Sequence, residues 1–167
     1  MALSRDELVA LLQHEVNIVG HLADKVDRAV LDYRPTPRQR TTIDLLRYLT
    51  MMGPALVDVA ETGTFDPAAW TARERATDGF GYDECRAAIA AHADLYARRA
   101  AGWSDAWLQT EIAPWGERSS RGRFLVQFVL CGYTAYRMQL FLYLKACGGH
   151  ELGTIDLWDG IDPPPKP

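Results

Sequence analysis

Side chains that bind metals or act as nucleophiles are scarce in this chain. Three cysteines (Cys85, Cys131, Cys147) and four histidines (His14, His21, His92, His150) are spread over 167 residues. The cysteines form no CxxC pair and have none of the spacings of a zinc site. If Cys131 and Cys147 share a helix, sixteen residues at 1.5 Å rise part them by ~24 Å, far beyond disulfide reach. All three read as reduced, buried, small hydrophobes of a cytoplasmic protein. No two histidines stand at i and i+4; His14 and His21 are about two turns apart, ~10 Å, too far to share one ion.

Lysine is confined to positions 25, 145 and 166, and the net charge of −4 argues against nucleic acid as a partner. "MALSRDELVALLQHE" carries acids where a secretory signal has a basic region and then an apolar run. Long apolar runs are missing too. The most apolar segment, 124–147, is broken by Gln127, Arg137, Gln139 and Lys145, which excludes a membrane span. No segment alternates long enough to propose a sheet. There is no Ser-His-Asp, Cys-His or paired-carboxylate arrangement and no phosphate-binding glycine loop.

The sequence is instead rich in helical periodicity. "SRDE" at 4–7 has the capping-box pattern, and Leu8, Leu12, Val16, Val19, Leu22, Val26 and Val30 form one stripe, predicting a helix to about Leu31. Prolines in "DYRPTPRQR" end it. Thr41 or Thr42 caps a second helix, whose stripe is Ile43, Leu46, Leu49, Met52, Leu56 and Val59; Pro54 should kink it near Thr50–Gly53. Residues 61–81 read as a long connection with one helical turn near Pro67–Arg73. A third helix spans Asp83 to about Ala101, with Ile89, His92 or Ala93, and Tyr96 inward. A second connection holds a short helix at Ser104–Leu108. The fourth helix runs from Ser119 or Arg121 to Ala146 or Cys147, and Gly148 suits the left-handed cap that stops it. Residues 150–160 should dock on the bundle, anchored by Ile155, Leu157 and Trp158. The pattern predicts an all-α four-helix bundle in one domain, 1–160, with a loose Pro-rich tail, 161–167.

Two segments give this chain a resemblance to the DinB/YfiT-like family of four-helix bundles. "LDYRPTPRQRTTIDLLRYL" at 31–49 is similar to the family's extended Arg-Pro linker followed by S/T-I-x-E/D-L-L-x-H-L. "GYTAYRMQLFLYLKACGG" at 132–149 is similar to H-x-x-x-H-R-x-Q-L-x-x-Y-L-x-x-x-G, through Arg137, Gln139, Leu140, Tyr143, Leu144 and Gly148. The resemblance implies a long crossover between helices 2 and 3, an up-down-down-up topology and a homodimer. For the dimer, surplus aromatic surface is expected at Trp103, Trp107, Trp115 and Trp158.

Relatives with a metal hold it with three histidines, and the matching positions here are Tyr48, Gly132 and Tyr136. Glycine offers no ligand atom, and a phenol must lose its proton to bind a divalent ion well. No metal and no cofactor are therefore expected. The Gly132 notch should be filled by the Tyr48 ring, or should persist as a pocket for a small polar or anionic molecule, with Arg137 and Gln139 in support. Arg137 should pair with an acid from another helix or the tail. The basic clusters at 34–40 and 117–123 should lie at opposite ends of the bundle. The competing expectations are a metal-dependent thiol transferase or hydrolase with non-standard ligands, and a protein-interaction module.

Overall fold

The predicted capping box forms in the computed structural model, which describes residues 3–164. The Ser4 hydroxyl accepts from the Glu7 amide, and the Glu7 carboxylate accepts from the Ser4 amide. Helix α1 (Arg5–Asp24) follows and buries Leu8, Leu12, Val16, Val19, Leu22 and Ala23. It stops seven residues short of the predicted end. Asp27 accepts from the Ala29 amide and starts a single 3-10 turn, Arg28–Val30, so the chain bends while Val26 stays buried.

Helix α2 (Thr42–Thr62) is capped by the Thr41 hydroxyl and runs uninterrupted through Pro54 to Gly63, whose φ of 75° favours glycine. The first connection holds more than the one predicted turn. Helix α3 (Pro67–Thr77) has eleven residues, with Asp66 as its cap and Pro67 in its first turn. It buries only Thr77, so no apolar stripe marks it. The third long helix is two pieces, α4 (Tyr82–Ala90) and α5 (His92–Ala100), meeting at Ala91. Helix α6 (Asp105–Gln109) starts at the predicted Ser104 cap. A two-residue antiparallel pair that the sequence does not betray, β1 (Glu111–Ile112) with β2 (Ser119–Ser120), closes the second connection.

The fourth long helix is built from α7 (Arg121–Phe124), a π-helical segment (Leu125–Leu130) and α8 (Cys131–Ala146). The chain leaves it at Gly148, φ 103°. Helix α9 (Thr154–Trp158) lies against the bundle with Leu152 and Leu157 buried. Residues 165–167 of the expected tail lie outside the described residues.

Side-chain contacts give the helix directions. Tyr82 donates to the Ala23 carbonyl and Gln13 to that of Ala93, so α1 and α4–α5 are antiparallel. Arg47 donates to the Phe80 carbonyl, while Asp58 and Glu61, three turns along α2, pair with Arg99, so α2 and α4–α5 are parallel. Tyr48 meets Tyr136, and Arg121 donates to the Ala60 carbonyl, so α2 and α7–α8 are antiparallel. This is the up-down-down-up order. It sets the two basic clusters at opposite ends of α2, where no single groove can use both. One continuous core joins the four long helices, and no helix of the described residues is long and apolar enough to cross a membrane.

Three further expectations need correction. Only Cys85 is buried; Cys147 is half-buried and Cys131 exposed, because Cys131 follows the π segment on the outer face. Trp103 is buried and stacks on Trp107 at 5.1 Å, leaving Trp115 and Trp158 as the outward rings. The Tyr48 ring does not enter the Gly132 notch, for the reason given next.

Candidate functional site

Residues one helical turn apart on α2 face residues one turn apart on α8. Tyr48 meets Tyr136 edge to face, with centroids 5.0 Å apart. One turn on, a Cβ added at Gly132 would lie 3.1 Å from Met52 Sδ and 3.2 Å from its Cε. The notch therefore belongs to Met52, which stands on the same face as Tyr48 and reaches further into the bundle. The sequence-predicted trio is brought together, but as a packed seam. These positions offer two phenols and a thioether, and burial followed by the neighbouring Tyr136 phenol raises the Tyr48 hydroxyl above its ordinary pKa. That donor set does not fit a divalent cation.

The outer edge of this seam opens into a cleft of about 360 Å³ lined by Arg40, Asp44, Arg47, Tyr48, Glu74, Thr77 and Asp78. The Arg40 guanidinium lies over the Tyr48 ring, 3.9 Å from its centroid. Asp44 pairs with Arg47 at 3.1 Å. Among the described residues no carboxylate pairs with Arg40. Its backbone is held by a relay: Gln139 donates to the Tyr143 hydroxyl at 2.6 Å, and Tyr143 donates to the Arg40 carbonyl at 3.0 Å. Gln139 thus supports the cleft through the chain that carries Arg40.

Arg137 does not. It faces α1 and the C-terminal segment, with Nε 3.2 Å from Glu15 Oε2, a donor bond to the Leu157 carbonyl and its guanidinium 5.1 Å from the Trp158 ring centroid. Pairing with an acid from another helix, the bland alternative to a pocket role, is its actual position. Trp70 of α3 stands 6.3 Å from Tyr48, so the crossover helix supplies one wall of the site.

Sequence reasoning missed a buried polar chain next to the seam. Pro54 has no N–H to give the Thr50 carbonyl, and His92 Nε2 donates to that carbonyl instead at 3.0 Å. With Nε2 protonated, Nδ1 accepts from the Tyr133 hydroxyl at 2.8 Å, which leaves Tyr133 to accept from Tyr96 at 2.5 Å. Burial is the main cause of the His92 pKa falling to about 4, so the ring is neutral near pH 7. Gly53 makes room, since a Cβ there would lie 2.1 Å from Tyr96 Oη and 2.2 Å from Tyr133 Oη. The Pro54 irregularity and the inward His92 were both visible in sequence; that one answers the other was not.

No known family description matches the chain, and no curated protein matches it. The solved structure of a DinB-like protein, YjoA, from Bacillus subtilis is similar to it in fold. The TM-score is 0.69 over 89% of this chain and 96% of that one, at 16% identity. The fold is therefore DinB-like.

Proposed function

We propose that this DinB-like bundle binds a small zwitterionic molecule in the Arg40–Tyr48 cleft, without a metal at the Tyr48, Gly132 and Tyr136 positions. The observation that carries the reading is the Arg40 guanidinium, held over Tyr48 with no carboxylate partner among the described residues. A guanidinium so placed has donors free for a carboxylate or phosphate group. Glu74 and Asp78 on the opposite wall supply acceptors for an amine. The role is recognition, and the Met52 side chain against Gly132, with Tyr136 against Tyr48, supports a reading without a metal.

Titration with free amino acids, read by Trp70 fluorescence against a Trp70→Phe control, tests it. Saturable binding lost in Arg40→Gln is expected. Binding unaffected by Arg40→Gln, or none up to millimolar concentration, would overturn it. Conversely, Tyr48→His, Gly132→His and Tyr136→His, with Met52→Ala to clear the notch, should create zinc affinity at the seam. Zinc bound by the unaltered seam, and lost on Tyr136→Phe, would refute the metal-independent reading.

A homodimer is part of the same proposal. Exposed Met138 and Leu142 on one face of α8, with Trp115 and Trp158, are the apolar surface to be covered. Light scattering at micromolar concentration should give twice the chain mass; a monomer mass counts against it.

A further inference from the structure

On the far side of the bundle, α1 and the C-terminal segment meet at a cluster the cleft does not use. His21 Nε2 and Asp156 Oδ1 are 2.9 Å apart, and Asp162 brings a third donor; the three ligand atoms lie within 4.8 Å of one another. Asp156 is only 1% exposed. Its second oxygen accepts from the Gly153 amide at 2.8 Å, which fixes the carboxylate with Oδ1 aimed at His21. Burial alone would raise its pKa, but the Gly153 and His21 hydrogen bonds outweigh this and hold it ionised.

Charge at the cluster is unbalanced. The Lys25 ammonium pairs with Asp162 and is held protonated by Asp162, Asp156 and Glu151 together, one cation among three carboxylates. A buried carboxylate is stabilised by a neighbouring positive charge, and one exposed lysine leaves a net negative site.

We propose that His21, Asp156 and Asp162 bind a divalent transition-metal cation of the zinc class, which clamps the C-terminal segment to α1. One imidazole nitrogen with two carboxylate oxygens suits zinc better than magnesium or calcium, which take oxygen ligands. Metal–ligand distances of about 2.0–2.2 Å put tetrahedral donors about 3.4 Å apart. From a spacing of up to 4.8 Å the arrangement reaches this when Asp162, 71% exposed, closes by as much as ~1.4 Å, the 2.9 Å His21–Asp156 contact opens by ~0.5 Å as the metal replaces the Nε2 proton, and Lys25 swings out to solvent. The fourth position is left to water. The site shares no residue with the Arg40–Tyr48 cleft, so either proposal stands or falls alone.

Calorimetric titration of the untagged full chain with Zn²⁺ at pH 7, with Co²⁺ absorption as a check on coordination, tests the clamp. One saturable site is expected. Asp162→Asn and His21→Gln should each weaken it at least tenfold, while Lys25→Gln, which removes the competing ammonium, should tighten it severalfold. Asp162 is exposed, so its variant keeps the fold if His21→Gln does not. His150→Gln should leave binding unchanged. Absence of saturable binding below 100 µM Zn²⁺, retention of affinity in Asp162→Asn, no gain in Lys25→Gln, or loss in His150→Gln would each overturn the proposal.

Discussion

Two glycines on facing helices predict opposite outcomes for the same substitution. At Gly53 an added Cβ meets the two phenol oxygens of Tyr96 and Tyr133 at 2.1 and 2.2 Å, atoms locked in a buried chain. Gly53→Ala must break that chain or push the helices apart, and about 3 kcal/mol of stability should be lost in urea melts. At Gly132 the Cβ meets only the flexible end of Met52 at 3.1 Å. The thioether can shift by a few tenths of an ångström, and alanine gains helix propensity of about 0.5–1 kcal/mol, so Gly132→Ala should be neutral or stabilising. A stabilised Gly53→Ala would show that the phenol chain is not formed in solution.

His92 sets the pH response at the same scale. Its folded pKa of about 4 lies below the unfolded value of 6.5, so the unfolded chain binds the proton first as pH falls. The stability due to neutral His92 is complete above pH 6.5, declines between 6.5 and 4, and is gone below. About 3 kcal/mol is the expected loss over that window. Denaturant melts at pH 7 and pH 4 should show it, and His92→Gln should flatten the slope.

Among elements, α2 and α5 correct each other. The proline that ought to weaken α2 frees the Thr50 carbonyl, and a residue from the neighbouring helix takes it up. A double-mutant cycle reports this. His92→Phe alone leaves the carbonyl and Tyr133 short of partners, costing about 2–3 kcal/mol. In a Pro54→Ala background residue 54 can donate to Thr50, and about 1 kcal/mol of that cost should be recovered. Strict additivity would mean that His92 does not act through the carbonyl.

What the sequence could say about these elements follows from their length and pattern. The four long helices show because their buried positions repeat every three to four residues over several turns, as Leu8 to Ala23 do over about four turns of α1. Helix α3 hides because only Thr77 is buried, although Asp66 and Pro67 are a legible start signal. The end of α1 was overrun because Val26 stays buried beyond the helix, and periodicity does not register the change of backbone. The β pair is too short to alternate. At the site, the resemblance of the 31–49 and 132–149 segments to the family's motifs implies that Tyr48 faces Tyr136, while Met52, four residues after Tyr48 on the same stripe, reads as core and not as the residue that fills the notch. The Pro54–His92 pairing joins residues 38 apart in sequence and follows only from the helix directions.

Across the whole molecule, the first helix, the last long helix and the terminal segment converge on Arg137. It is 4% exposed, paired with Glu15 across the bundle and bonded to the Leu157 carbonyl. Glu15 Oε2 makes no hydrogen bond within the described residues, and desolvation raises the Glu15 pKa despite the Arg137 charge. The pair is thus a costly way of joining α1 to α8, because burying two ions loses hydration that one 3.2 Å contact barely restores. Removing one partner leaves the other charge stranded, so Arg137→Met should destabilise by about 3–5 kcal/mol, and the loss of the Leu157 bond should expose the terminal segment to limited chymotrypsin digestion at Leu152, Leu157 and Trp158. Adding Glu15→Leu should return most of the global stability, since an apolar pair of similar volume often equals a buried ion pair. The terminal segment should remain protease-sensitive in the double variant, because Leu157 still lacks its donor. Recovery of both properties together would place the anchor of the segment in α9 packing and the His21–Asp156 contact instead of in Arg137.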